Sequence, residues 1–237
     1  MTEFKGRGFQ IEIVHRLEQG FHQVKLDIPA SGKKPAVKGE LIWREELAKT
    51  QPLALLSPVA KGGFIYNHKA QMPIEGSLKI CDREVTFDSR RDVANLDEVK
   101  IHPGVASQLS YRWFNFGGFD KQGRLVGLDL AHSPQKGDAY WAENCVWVAE
   151  KLWLCPAVRF ENDLSDLMKP WRAIDEEGRI DITFHPEGGK LVNLGPIGKY
   201  HQKCGRFRGT VVDGSGESHE IRDYYGCAEC AEILTSK

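Results

Sequence analysis

Every second residue is apolar along much of this 237-residue chain, a period that puts one face of a strand against a core and the other toward water. Phe9, Ile11 and Ile13 alternate with Gln10 and Glu12, and Val24, Leu26 and Ile28 alternate with Lys25 and Asp27. The pattern returns at Leu78 and Ile80, at Val85 and Phe87, at Ile180, Ile182 and Phe184, and at Phe207 and Val211. Asp120–Gly123, Glu176–Gly178, Pro186–Gly189 and Asp213–Gly216 carry turn-forming residues and predict hairpin connections. Three short segments read as helical: Trp43–Lys49, Leu164–Met168 and Ala228–Leu234. The chain is therefore expected to be all-β and antiparallel. So many strands must hide their edges, either as a lipocalin-like barrel or as two half-barrels packed together. A weak boundary near Asp163–Pro170 divides it into residues 1–163 and 164–237, although one large domain also fits the pattern.

Composition narrows the function classes. Lys plus Arg (32) almost balances Asp plus Glu (33), so no global field attracts nucleic acid or an anionic membrane. Met1–Gly8 has no apolar stretch of the kind a secretion signal carries, and no apolar run approaches the roughly 18–20 residues of a membrane span. A cytoplasmic protein is expected. Six cysteines are too sparse for a disulfide scaffold, which makes reduced thiols the default. The Gly62-Gly63 and Gly117-Gly118 pairs lack the context of a phosphate loop, and Gly-x-Ser-x-Gly is absent, so neither a nucleotide cofactor nor a serine hydrolase is indicated.

The candidate chemistry lies in a few polar positions among aromatics. In Tyr140–Trp147, alternation sets Glu143 on the face shared with Trp141, Cys145 and Trp147. A carboxyl desolvated there would hold its proton near neutral pH and act as a general acid, whereas the opposite register exposes it. Tyr66-Asn67-His68-Lys69 forms a second polar cluster, and His201-Gln202 precedes the Gly205–Val211 strand. His68, His102 and His201 are candidate proton partners for a substrate hydroxyl or carbonyl, or ordinary structural hydrogen-bonders. Trp113, Phe114, Phe116 and Trp171 either line a lipophilic cavity or fill a core. His201-x-x-Cys204 with Cys227-x-x-Cys230 has the look of a zinc set, but the expectation is no metal.

Ser57-Pro58, Tyr66–Ala70, Glu143-Asn144, Trp171, Gly178–Asp181, Phe184–Glu187, His201-Gln202, Gly205–Gly209 and Gly226–Glu229 together resemble a bacterial family catalogued as domain of unknown function 2804. That family is similar to the two-domain, lipocalin-like (calycin) proteins that include carotenoid hydratases. The resemblance implies two lipocalin-like halves with a pocket in or between them. The chain departs from the family pattern after Glu229, where Cys230 and Ala231 replace an acidic residue and a His.

Together these readings predict a protein that binds a small apolar or amphipathic molecule and hydrates, dehydrates or isomerises it without a cofactor. Glu143, His201 and Glu229 are the candidate catalytic residues. Tyr66, Asn67, His68, Trp113, Trp141, Asn144, Trp171 and Gln202 are the candidate ligand contacts. Three alternatives stay open: a non-catalytic carrier or sensor, a carbohydrate-active enzyme using paired carboxylates such as Asp181, Glu187 or Glu229, and a zinc-stabilised interaction module.

Overall fold

The computed structural model describes all residues except 1, 7, 60–62, 102–108, 133–142, 194, 196–197 and 234–237. His102 and Trp141 therefore lie outside the described residues. The described chain is all-β and lipocalin-like, and the helical element named among those residues is a 3₁₀ turn, Leu17–Gln19. No helix in it is long and apolar enough to cross a membrane.

The contacts group into two compact units, Met1–Gln51 with Ala70–Leu96, and Pro52–Lys69 with Asp97–Lys237. Residues 164–237 all fall in the second unit. The first unit is an antiparallel ladder of β1 (Thr2–Gly6), β2 (Phe9–Arg16), β3 (Phe21–Ile28), β4 (Val37–Arg44) and the second part of β6 (Gly63–Ile80), onto which β7 (Arg83–Phe87) folds back. Trp43, Ala70, Met72, Ile74 and Leu96 form its core.

In the second unit β5 (Leu53–Val59) pairs with the first part of β6. β8 (Val93–Ile101) runs through both units, as β6 does. The rest of the second unit is a nine-stranded antiparallel sheet. Its strands are β9 (Leu109–Phe119), β10 (Leu125–His132), β11 (Cys145–Val148), β12 (Lys151–Leu154), β13 (Arg159–Glu161), β14 (Trp171–Ile174), β15 (Ile180–Asn193), β16 (Gly198–Val212) and β17 (Ser218–Ile233). Their spatial order is β12-β11-β10-β9-β17-β16-β15-β14-β13. The Asp163–Pro170 segment joins two neighbours of this one sheet, β13 and β14.

Alternation sorts the residues of the sheet onto two faces. Phe114, Phe116, Val126, Leu128, Leu130, Val146, Trp171, Ile182, Phe184, Phe207 and Ala228 point to one side and form a continuous buried core. Ring centroids of Phe114, Phe116, Phe184 and Phe207 lie 4.7–5.8 Å apart in tilted and edge-to-face arrangements, the geometry aromatic quadrupoles favour. The opposite parity on β9, β10, β16 and β17 carries Tyr111, Trp113, Asn115, Asp129, Tyr200, Gln202 and Glu229, which contribute to the site described below.

Three turns form as the sequence predicts. Asp120 between β9 and β10 accepts from the Gln122 and Arg124 amides, and Asp213 between β16 and β17 accepts from those of Ser215 and Glu217. Glu176–Gly178 joins β14 to β15. Pro186–Gly189 does not turn but lies inside β15, where the register shifts between Pro186 and Gly188; an irregularity accommodates a proline that cannot donate to the ladder.

The predicted helices do not form. Trp43 and Arg44 complete β4, after which the Lys49 and Thr50 amides close a turn on the Glu46 carbonyl. Around Leu164–Met168 the side chains of Asp163 and Asp166 accept from the Ser165 and Met168 amides, a local bonding that favours turns over helix. Ala228–Ile233 belongs to β17, with Ala228 and Cys230 in the core and Glu229 on the other face.

Candidate functional site

The polar face begins with Tyr111, Trp113 and Asn115, which share one side of β9 while Phe114 and Phe116 occupy the other. Asp129 of β10 lies opposite Asn115 in the ladder and is fully buried. A lone acid in Leu125–Ala131 must bring its own partners, and three donors supply them. Asn115 Nδ2 donates to Asp129 at 2.8 Å, Trp113 Nε1 at 3.0 Å, and Lys69 Nζ at 3.1 and 3.2 Å to its two oxygens. All three partners donate, so they stabilise the carboxylate form. Burial pulls the other way and, against Lys69, holds the Asp129 pKa above the usual range.

Lys69 is the hub of this group. Its side chain is 2% exposed and its Nζ also reaches Glu143 Oε2 at 2.7 Å and Asp97 Oδ2 at 3.7 Å. The ammonium sits 5.0 Å from the centre of the Trp113 ring, within cation–π range. Burial opposes its charge, but Asp129, Glu143 and Asp97 outweigh that and raise its pKa. Asn67, two residues earlier on β6, donates to Glu143 Oε1 at 3.2 Å. Asp97 is the member that reaches solvent, with 31% of its side chain exposed. Burial nevertheless raises its pKa, and Lys69 only partly offsets that. One ammonium thus faces three carboxylates. Asp97 can be solvated, but Asp129 and Glu143 together would leave one negative charge uncompensated by Lys69 in a nearly buried place, which favours a proton shared within the group near neutral pH.

A second polar group adjoins it on the same face. Glu229 of β17 lies opposite Trp113 on one side and Gln202 of β16 on the other. It accepts from Tyr111 at 2.9 Å, from Gln202 at 3.0 Å and, through a short contact, from Tyr200. Burial first, and then the Glu229 charge, raise the pKa of Tyr111. The same causes raise Tyr200, with the hydrogen bond to Glu229 second after burial. Both phenols therefore stay protonated and donate to Glu229.

Several expected site residues meet here. Asn67, Trp113 and Glu143 belong to the Lys69 group, and Gln202 and Glu229 to the neighbouring one. Others are placed elsewhere. Asn144 accepts from the Ala131 amide at 2.7 Å and donates to the Pro156 carbonyl at 2.9 Å, bracing the entry to β11. Trp171 is buried in the apolar core and donates to the Leu167 carbonyl. Tyr66 packs under the Lys100 ammonium, 5.6 Å from its ring centre, and His68 is buried on β6. His201 pairs with Leu191 and Cys230 in the ladder, and burial with nearby Lys203 and Lys199 lowers its pKa.

Asp181 bonds Arg172 and Glu187 bonds Arg206, each away from Glu229. His201, Cys204, Cys227 and Cys230 do not converge, because residues three apart on a strand face opposite sides. Asp97, Tyr111, Asn115, Asp129 and Tyr200 were not among the expected site residues, and Lys69 stood only as part of the Tyr66–Lys69 polar cluster. One of these carried a signal in the sequence, since Asp129 is a lone acid within an apolar run, and the structure shows that Lys69 lies where β6 has no exposed side.

A family model described as domain of unknown function (DUF2804) matches residues 1–233. The chain belongs to the DUF2804 family. A search of curated proteins finds no significant match. Among solved structures, this DUF2804 chain is similar to CghA bound to Sch210972 (TM-score 0.58, 14% identity, covering 99% of this chain and 70% of that one). It is also similar to kievitone hydratase from Nectria haematococca (TM-score 0.55, 12% identity, 94% and 70%). At such identity the likeness is one of fold.

Proposed function

We propose that the polar face of the nine-stranded sheet binds a small amphipathic molecule and moves a proton on it without a cofactor, so that the molecule is hydrated, dehydrated or isomerised. The observation that carries this reading is the gathering of Asp97, Asp129 and Glu143 around one buried ammonium, Lys69. Such a group stores a proton at neutral pH and can return it, as acid–base catalysis requires. Glu143 is the proton donor. Asp129 is wholly buried, whereas 11% of the Glu143 side chain remains exposed, so Glu143 is the carboxyl of the two that a bound molecule can reach. Asp97, the solvent-reaching member, reloads the group. Glu229, which accepts from two phenols and an amide, is the base that takes a proton from water or from a substrate hydroxyl. Kievitone hydratase shares this fold, which supports placing hydration among the reactions considered.

The test starts with native mass spectrometry of the full chain purified from cells, where an organic adduct is expected. Glu143→Gln should retain that adduct, while conversion falls about 100-fold or more, the usual loss when a positioned acid is removed. Binding without conversion in either protein would leave a carrier. No adduct and no retention of any screened lipophile would overturn the reading.

A further inference from the structure

Cys204 of β16 and Cys227 of β17 stand directly opposite one another in the ladder, with their Sγ atoms 3.8 Å apart. Both are free thiols and half-buried. We propose that this pair is a reversible thiol–disulfide switch that resets the spacing of β16 and β17 beside Glu229. Directly opposed residues on antiparallel strands have Cα atoms about 4.5–5.5 Å apart, within the roughly 4.4–6.8 Å that a disulfide spans. Their Cβ atoms are about 4.5–5.5 Å apart, slightly more than the roughly 3.5–4.5 Å of a bonded pair. Closure must therefore draw the two strands together, and a bond formed under that strain is readily reduced again. The next rung, Gly205 opposite Gly226, has no side chains to resist the movement.

The pair's position gives the closure a consequence. Cys227 lies opposite Cys204 on one side and Asn115 of β9 on the other, and Asn115 lies opposite Asp129 while donating to it. The neighbouring rung on the same face is Gln202 opposite Glu229. A change in the β16–β17 spacing is therefore transmitted to the ligands of Glu229 and to the Asn115–Asp129 bond. The functional meaning of that change rests on the acid–base reading above, but formation of the bond does not.

The oxidant class is a low-molecular-weight disulfide. One cysteine, as thiolate, attacks it to form a mixed disulfide and release one thiolate. The second cysteine attacks the protein sulfur of that mixed disulfide and releases the other. The bond between the two small sulfurs breaks, the Cys204–Cys227 bond forms, and the two cysteine protons end on the two released thiols. Burial, and after it the neighbouring Cys204, push the Cys227 thiol up to about 12, so the reaction speeds up in mildly alkaline buffer.

The experiment incubates the full chain with excess oxidised glutathione at mildly alkaline pH, with no substrate present. Peptide mapping should find a Cys204–Cys227 cross-link, with an intact mass lower by two hydrogens and restored by dithiothreitol. Cys204→Ser should not form it. Hydrogen exchange of the Tyr111–Asn115 amides should slow several-fold in the oxidised protein. Glutathione adducts alone, or disulfides linking other cysteines or two chains, would overturn the switch. A mapped cross-link with unchanged exchange in β9 would overturn its coupling to the site. Because neither readout involves turnover, failure here is distinguishable from failure of the proposed function.

Discussion

On one face of the nine-stranded sheet Phe114, Phe184 and Phe207 pack ring to ring, while on the other Trp113, Asp129 and Lys69 bond donor to acceptor. Trp113, Asn115 and Asp129 lie on the same strands as core residues of the other face, one residue away from Phe114, Phe116 and Leu128, while Lys69 comes from β6. On the apolar face each contact is small and non-directional, and stability scales with area and packing. On the polar face each member is costly alone and tolerable only with its partners. A mutation on the first side removes its own contribution, whereas one on the second strands its neighbours.

The largest effect that sharpens this contrast is expected from Phe207→Ala. Its ring is fully buried and contacts those of Phe114, Phe116 and Phe184. Removing it should cost about 3–5 kcal/mol, the range for truncating a buried aromatic, with little dependence on pH. Urea unfolding at pH 5 and pH 8 checks both parts. A strongly pH-dependent loss would mean that the faces are not energetically separate.

Lys69→Met should give the next largest effect and the opposite signature. It preserves bulk while removing the charge that Asp97, Asp129 and Glu143 share. At pH 8 the loss should be about 3 kcal/mol, the lower end of what breaking a buried ion pair costs. Acidification protonates the stranded carboxyls, so the variant should recover much of the loss by pH 5. The same urea series reads this, and an equal loss at both pH values would deny the carboxylates their shared ammonium.

How far the sequence disclosed these two faces follows from the same distinction. Alternation at Ile180, Ile182 and Phe184 or at Phe207 and Val211 marks a core strand because one residue's polarity suffices to orient it. The helix expected over Ala228–Leu234 shows the limit: small residues satisfy both periods, and only the pairing of β17 with β9 and β16 decides between them. The polar face was legible in part. Asn67, Glu143, Gln202 and Glu229 stood out beside aromatics, but Lys69, Asp97 and Asp129 are separated by 60 residues from first to last. What makes them a site is their convergence, which no local pattern encodes. The His201-x-x-Cys204 and Cys227-x-x-Cys230 spacings had the look of a zinc set although no metal was expected, and pleating sends the two members of each to opposite faces and leaves Cys204 and Cys227 as a thiol pair.

The smallest expected effect concerns the slope of stability with pH, and Asp129→Asn isolates it. Asp97 is raised, and Asp129 is raised to about 7, in both cases chiefly by burial. Unfolded, each titrates near 3.9. Between those values the native state binds more protons than the unfolded state, so the linkage slope is negative. The contribution is fully present below about pH 4 and is lost as pH rises through about 7. Asp213 acts in the opposite sense, since its bonds to Ser215 and His219 outweigh burial and hold it down at about 2; its contribution is lost only in strong acid. Wild type should therefore lose stability on going from pH 5 to pH 7.5, and Asp129→Asn should flatten that decline while leaving the acid limb unchanged. Thermal unfolding across this interval makes the measurement. A variant as steep as wild type would move the titrating proton off Asp129, leaving Asp97 and Glu143 to hold it.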